Sequence, residues 1–140
     1  MSKVAVVYWS GTGNTEAMAN KVAEGARAAG AAVETLTAAD FSAAMMHNYD
    51  AVAFGCPSMG AEQLEETEFE PMFSACESKL KGKKIALFGS YGWGDGEWMR
   101  TWEETCRGAG AVLACESVIC CEAPDGEAEA ACEALGRALA

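Results

Sequence analysis

One short segment combines two glycines with four hydroxyl or amide side chains: Ser10, Gly11, Thr12, Gly13, Asn14 and Thr15. The glycines permit a tight or left-handed turn, so that successive backbone N–H groups can converge on one anion. A helical pattern follows directly, and the N-terminus of a helix adds unpaired N–H donors and a positive dipole end. The segment contains no lysine or arginine and matches neither the P-loop nor the dinucleotide-binding sequence. It therefore predicts a phosphomonoester site made of neutral dipoles, the alternative being a helix cap whose glycines serve only the turn.

A second segment alternates glycines with large aromatic residues: Ser90, Tyr91, Gly92, Trp93 and Gly94. An aromatic ring held between glycines can lie flat against a planar molecule, and such stacking is favourable. The segment therefore predicts a stacking surface for a planar ligand. The alternative is that Trp93 covers the core beneath a flexible turn.

A third segment follows a buried strand and reads Ser58, Met59, Gly60, Ala61 and Glu62. Met59 offers a polarizable surface to an aromatic ring, and the peptide at Gly60 can turn at low cost. Glu62 can accept a hydrogen bond from a ring N–H. The next acidic residues are interpreted as a solvated face at the start of a helix, where negative charge is favourable; they are Glu65, Glu66, Glu68 and Glu70.

Apolar runs and helical patterns alternate along the chain, which predicts the elements that must position these segments. Strands are expected at residues 4–9, 32–36, 50–56, 84–90 and from 112 to about 120. Helices are expected at residues 15–29, after Asp40, at 69–79, at 97–107 and from Asp125 onward. Such alternation indicates an α/β domain with a parallel sheet covered by helices on both faces, and ligands bind at the carboxyl ends of the strands.

Composition limits the classes of function. The 140 residues suit one domain, residues 1–140, and 21 acidic against 10 basic residues give a net charge of −11. This charge excludes unaided nucleic-acid binding and disfavours an anionic membrane surface. No stretch approaches the roughly 20 apolar residues of a membrane span, and no signal-peptide pattern is present. We therefore expect a cytoplasmic protein.

Seven cysteines stand beside a single histidine, and no cysteine pair has the C-x-x-C spacing of a zinc or redox site. No metal site is therefore expected, and the thiols are interpreted as reduced packing residues. A strained disulfide between Cys120 and Cys121 is the alternative for these two neighbours.

Three segments in order, YWSGTGNT (8–15), GCPSMGAE (55–62) and LFGSYGWGDGEWMR (87–100), resemble the short-chain flavodoxins of clostridia and related anaerobes. The resemblance covers essentially the whole chain. It implies a doubly wound three-layer sandwich with a five-stranded parallel sheet in the order 2-1-3-4-5, binding FMN where the strand order reverses.

The same resemblance implies a role for each segment. Residues 10–15, with Ser90, would bind the FMN phosphate. Trp93 would cover the outer face of the flavin and Met59 the inner face. Glu62 would accept a hydrogen bond from the flavin N3–H, and the Gly60–Ala61 peptide would turn its carbonyl toward N5–H when the ring is half reduced.

The implied function is that of a low-potential one-electron carrier, cycling its FMN between semiquinone and hydroquinone, without a substrate of its own. We expect a monomer that exchanges electrons with proteins bearing basic docking surfaces. A small FMN-dependent quinone or nitro reductase and an FMN store remain as alternatives. A phosphorylated receiver domain is excluded, because Tyr8-Trp9 and Gly55-Cys56 stand where its acidic residues would be.

Overall fold

A parallel sheet forms the centre of the computed structural model, which describes residues 2–60 and 62–140. Its strands are β1 (Lys3–Tyr8), β2 (Ala32–Thr37), β3 (Ala51–Gly55), β4 (Lys84–Tyr91), β5 (Val112–Leu113) and β6 (Val118–Cys121). Neighbouring strands follow the order β2-β1-β3-β4-β5, and β6 also pairs with β4. The predicted order 2-1-3-4-5 is confirmed.

The single strand predicted from residue 112 to about 120 is wrong, because the chain forms two short strands there. β5 pairs with the beginning of β4, at Lys84 and Ile85, whereas β6 pairs with the end of β4. Between them the chain leaves the ladder, and the Ser117 hydroxyl donates a hydrogen bond to Glu103, 2.6 Å away. The Ser117 side chain thus bonds outside the sheet instead of within it.

Four helices cover the two faces of the sheet: α1 (Asn14–Ala28), α2 (Phe69–Cys76), α3 (Glu97–Gly108) and α4 (Gly126–Leu139). Because successive side chains of a strand point to opposite faces, Val4 and Val6 pack beneath α1 and α4. Ala5 and Val7 pack on the other side, beneath α2 and α3. This is the predicted three-layer sandwich. Among the residues described, no helix has both the length and the apolar character needed to cross a membrane.

Two helix predictions need correction. The helix expected after Asp40 is wrong, because the segment forms only two 3-10 turns, Ala38–Asp40 and Ala43–Asn48. Phe41 and Tyr49, which flank the second of these turns, are extended and buried, with ring centroids 6.3 Å apart. The helix expected at 69–79 is α-helical only to Cys76 and then continues as a 3-10 turn, Glu77–Lys79.

Glu65 is buried at the N-terminus of α2, so its interpretation as part of a solvated acidic face is wrong. Its side chain is 4% exposed and accepts hydrogen bonds from the backbone N–H groups of Thr67, Glu68 and Phe69, at 2.7–2.9 Å, and from the Thr67 hydroxyl. Burial alone raises the pKa of Glu65, but these hydrogen bonds outweigh burial and lower the pKa from 4.5 to about 2. The carboxylate therefore holds in place the segment that links β3 to α2.

Replacing Glu65 with Gln is expected to destabilise the protein by about 2 kcal/mol near neutral pH, because a charged acceptor for three backbone donors is lost. The stabilisation by Glu65 is complete above its unfolded pKa of 4.5 and disappears as the pH falls toward about 2. Urea denaturation across this range should therefore show the wild-type and Gln proteins converging in acid. The matched control is Glu66→Gln at the exposed neighbouring position, which should change stability little. If the free energies of unfolding of the wild-type and Glu65→Gln proteins differed by the same amount at every pH, this role of Glu65 would be contradicted.

Candidate functional site

Residues 10–13 form the turn between β1 and α1, and Asn14 and Thr15 begin α1. Gly13 precedes α1 in the left-handed conformation, with a φ of 93°, which any residue with a side chain would adopt only under strain. The Ser10 hydroxyl accepts hydrogen bonds from the backbone N–H groups of Gly13 and Glu16, at 3.1 and 3.2 Å. The helix-cap alternative therefore accounts for Ser10 and Gly13, but not for the remaining polar residues of the turn.

Thr15 supplies the strongest indication of a ligand. It lies in the first turn of α1 and is 1% exposed, yet its hydroxyl finds no hydrogen-bond partner among residues 2–60 and 62–140. A buried hydroxyl without a partner costs free energy. A phosphate oxygen at the N-terminus of α1 would supply the missing acceptor and would also favour the positive end of the helix dipole. The turn therefore fits a phosphate group.

A cavity of about 370 Å³ opens beside this turn, where the loops after β1, β3 and β4 meet. The backbone N–H of Ser58 donates to the carbonyl of Ser90 at 3.0 Å, which ties two of these loops together. The cavity is lined by Trp9, Gly11, Thr12, Asn14, Pro57, Ser58, Met59, Ser90, Tyr91, Gly92 and Glu122. The fold thus brings together residues from all three predicted segments.

Other predicted residues lie around this cavity rather than on its wall. Ser10 and Gly13 line a neighbouring cavity of about 360 Å³, which shares Trp9 and Gly11 with the first. Thr15 lies beneath the turn, and Trp93 projects into solvent with 62% of its surface exposed. The ring of Trp93 is therefore available to stack on a ligand. Tyr91, in contrast, already packs against Trp98, with ring centroids 5.6 Å apart.

The loop after β3 is closed by a pair of backbone hydrogen bonds. Met59 and Gln63 each donate an N–H to the carbonyl of the other, at 2.8 and 3.2 Å. Glu62, with a φ of 53°, directs its carboxylate across to the loop after β4, where Oε1 accepts a hydrogen bond from the Asp95 N–H at 3.2 Å. Ala61 lies outside the described residues, and so does the predicted turning of the Gly60–Ala61 peptide.

Gly94 explains how Glu62 reaches the neighbouring loop. A side chain on Gly94 would occupy the space that the Glu62 carboxylate fills, because a Cβ there would lie 1.7 Å from Oε1. Glu62 thus bridges the loops after β3 and β4, and we call this bridge the rim of the site; Gly94 directly follows Trp93 in the chain.

Glu122 lines the cavity although the sequence analysis assigned it no role. It follows β6 with a φ of 59°, and its backbone N–H donates to the carbonyl of Tyr91 at 2.8 Å. Its position directly after the last strand could have indicated this role. Because β6 pairs in parallel with β4, the carboxyl ends of both strands lie at the same edge of the sheet. Because the described lining contains no lysine or arginine, Glu122 gives this wall a negative charge.

Two neighbouring thiols lie beside the site, and they differ: Cys120 is half-buried, whereas Cys121 is exposed, so the interpretation as a packing residue is wrong for Cys121. Cys120 and Cys121 are free, and the Cys120 thiol lies 3.6 Å from the sulfur of Met18 on α1. Burial, with a smaller contribution from Asp125, raises the pKa of Cys120 to about 11, so this thiol is protonated at neutral pH. Cys56 and Cys132 are fully buried in the two cores, in agreement with the interpretation of the thiols as packing residues.

Comparisons with known proteins agree with this geometry. The family model described as flavodoxin matches residues 6–135. A flavodoxin of Megasphaera elsdenii is 47% identical over 137 residues, which cover 98% of both chains, and one of Clostridium beijerinckii is 47% identical over 96% of this chain and 97% of its own. The solution structure of two-electron reduced Megasphaera elsdenii flavodoxin superimposes with a TM-score of 0.89, at 47% identity over 97% of each chain.

Replacing Thr15 with Val tests the unpartnered hydroxyl, because Val keeps the shape and removes the oxygen. We expect the affinity for FMN to fall about tenfold, since a hydrogen bond to a charged phosphate is lost. The free energy of unfolding of the apoprotein should stay the same or rise, because the hydroxyl has no bond to lose. Quenching of FMN fluorescence measures the first quantity and urea denaturation the second. Thr105→Val on α3 is the control and should leave FMN affinity unchanged; equal affinities for the Thr15 variant and wild type would refute the phosphate contact.

Proposed function

The chain belongs to the flavodoxin family and is a small FMN-binding electron carrier, and on this premise we propose that it transfers one electron at a time at low potential. The single observation that supports phosphate binding most directly is the buried Thr15 hydroxyl at the N-terminus of α1. FMN, when bound, supplies the redox chemistry, and the protein decides how the cofactor is held and at what potential it works.

Neutral donors hold the phosphate in this proposal. The backbone N–H groups of the turn and the helix dipole of α1 favour an anion, and the Thr15 hydroxyl donates to it. Ser90, which is 5% exposed at the end of β4, contributes a further hydroxyl on the cavity wall. Because no cation is needed, the site adds no positive charge that would stabilise electrons on the ring.

The loops after β3 and β4 hold the ring. Met59 lies on the cavity wall and covers the inner face, whereas the exposed indole of Trp93 covers the outer face. The Asp95 N–H already occupies Oε1 of Glu62. The second oxygen, Oε2, is therefore the acceptor that we assign to the ring N3–H.

Negative charge around the ring sets the direction of the potential. Glu122 lines the cavity, Glu62 lies at its rim, and the whole chain carries a net charge of −11. These carboxylates repel the negative charge that reduction places on the ring, so the last electron is added at low potential. Acidic surroundings also favour basic partners, whose association is steered by charge.

We propose that the protein has no substrate of its own and acts as a monomer in the cytoplasm. A small FMN-dependent reductase is not favoured by the comparisons. If the chain is a carrier, the FMN-loaded protein should not oxidise NADH or NADPH unaided, but should pass electrons from a reductase to a basic acceptor such as cytochrome c. The rate should fall as salt is added, because screening weakens attraction between opposite charges. Steady oxidation of NADPH without a partner would identify an enzyme instead.

The peptide after Gly60 is the proposed source of the separation between the two reduction steps. Within residues 2–60 and 62–140, no heavy atom lies within 4 Å of the place where a Cβ on Gly60 would be, apart from its immediate neighbours in the chain. Space therefore does not require glycine in this conformation. Glycine becomes necessary if the peptide must turn, because the turned conformation is costly for a β-branched residue.

Replacing Gly60 with Val is expected to bring the two one-electron reduction potentials closer by about 60 mV or more, which is a tenfold change in the equilibrium between the steps. Binding of oxidised FMN should change little. A reductive titration followed by visible spectroscopy against reference dyes measures both steps. The control is Gly126→Val, at an equally open position on α4. If Gly60→Val weakens the binding of oxidised FMN as much as it reduces the difference between the two reduction potentials, the proposed turning of the peptide is refuted.

A further inference from the structure

A groove of about 550 Å³ lies between α2 and α3, outside the FMN site. Its walls include the aromatic side chains of Phe73, Trp98 and Trp102. These rings belong to the core under α2 and α3, and Trp102 meets Phe73 edge-on with centroids 5.5 Å apart. The groove therefore has a rigid apolar floor.

Trp102 carries an unsatisfied donor in this floor. Its side chain is 2% exposed, and its indole N–H has no acceptor within the part of the chain that the structure describes. The comparable groups of Trp9 and Trp98 are satisfied, by the Glu68 carboxylate at 3.0 Å and by the Cys56 carbonyl at 3.2 Å. A buried N–H without an acceptor is unfavourable. An acceptor brought by a ligand would remove this cost.

The rim of the groove is strongly acidic. Glu66 and Glu70 line one side, Glu62 and Glu77 extend the row, and the described lining contains no lysine or arginine. Glu66 and Glu70 accept hydrogen bonds only from neutral groups of the described chain, the Gln63 amide and the Ser74 hydroxyl. Their charges are therefore available to cations. The long alkyl stems of lysine and arginine can also cover an apolar floor while their charged ends reach carboxylates.

Glu62 joins this groove to the FMN site. Its carboxylate lines the groove and also bonds to Asp95 in the loop that carries Trp93. A protein segment seated in the groove would thus contact a residue that is bonded to the loop of Trp93, the exposed side chain that we assign to the outer face of the flavin. This position suits a partner that exchanges electrons with the cofactor.

We propose that the groove between α2 and α3 docks an extended basic segment of a redox partner, one of whose backbone carbonyls accepts the Trp102 indole N–H. Lysine or arginine side chains of that segment pair with Glu66, Glu70 and Glu77. The inference rests on the proposed electron-carrier function and adds to it a specific docking site, chosen by charge and by one buried hydrogen bond.

The direct test follows the indole N–H signals by NMR in the oxidised, FMN-loaded protein. A short acetylated and amidated peptide of alternating lysine and alanine is added as the ligand, with an alternating serine and alanine peptide as control. The Trp102 signal should move downfield as its N–H gains an acceptor, and the signals of Trp9 and Trp98 should move less. A Trp102 signal that does not move on addition of the lysine peptide overturns the proposal.

Variants test the two halves of the site separately. Trp102→Phe keeps an aromatic ring and removes the N–H, and should weaken binding of the lysine peptide about fivefold. The double variant that combines Glu66→Gln with Glu70→Gln should weaken binding of the lysine peptide more than Trp102→Phe does. It should also make this binding less dependent on salt. The charge-matched control is Glu104→Gln with Glu127→Gln, at exposed positions that do not line the groove. Equal losses in the two double variants would show unspecific attraction to an acidic protein and overturn the docking site.

The same samples separate this inference from the proposed function. All variants should bind FMN with wild-type affinity, because none of the replaced residues lies in the FMN cavity. A protein that binds FMN normally but shows no preference for the lysine peptide refutes only the docking site. Failure of the wild-type chain to bind FMN refutes the carrier function itself. Self-association that is abolished by Trp102→Phe would assign the groove to a second copy of the chain and overturn the basic occupant.

Discussion

The parallel pairing of β3 with both β1 and β4 is the constraint on which the site depends. Because the three strands run in the same direction and in register, their carboxyl ends reach one edge of the sheet. The turn before α1, the Met59 loop and the Trp93 loop therefore converge without any direct sequence relationship. β6 extends this edge by pairing with the end of β4 and delivers Glu122 to the same cavity.

In the function that we propose, the site has two regions whose electrostatic requirements are opposite. The phosphate end requires attraction for an anion, which the N-terminus of α1 and a buried hydroxyl provide without a lysine or arginine. The ring end is bordered by carboxylates, which make added electrons costly. A cation in the phosphate turn would partly cancel this effect. Neutral phosphate binding and low potential are thus two consequences of the same choice of residues.

The face covered by α2 and α3 carries the docking groove that we propose. Glu65 anchors the start of α2 from within, while Glu66 and Glu70 remain on the surface beside a groove floored by aromatic rings. Glu65 therefore stabilises the fold, because it is buried and hydrogen-bonded. The neighbouring Glu66 and Glu70 are exposed and contribute their charges to the surface. The exposed glutamates extend the acidic surface from Glu62 at the rim of the FMN site.

Local patterns were sufficient to predict the parallel three-layer fold, the turn at residues 10–15 and the aromatic loop, because periodicity, glycines and hydroxyl side chains act over a few residues. They did not reveal the buried role of Glu65, the division of the last strand or the place of Glu122. Each of these depends on contacts between distant parts of the chain, such as the pairing of Tyr91 with Cys121 or of Ser117 with Glu103. The same holds for Trp102, whose indole N–H finds no acceptor among the residues that the structure describes. The sequence alone determined which groups were available, and the tertiary structure decided which of them are buried, paired or open to a ligand, since burial and hydrogen bonding arise only when the elements meet.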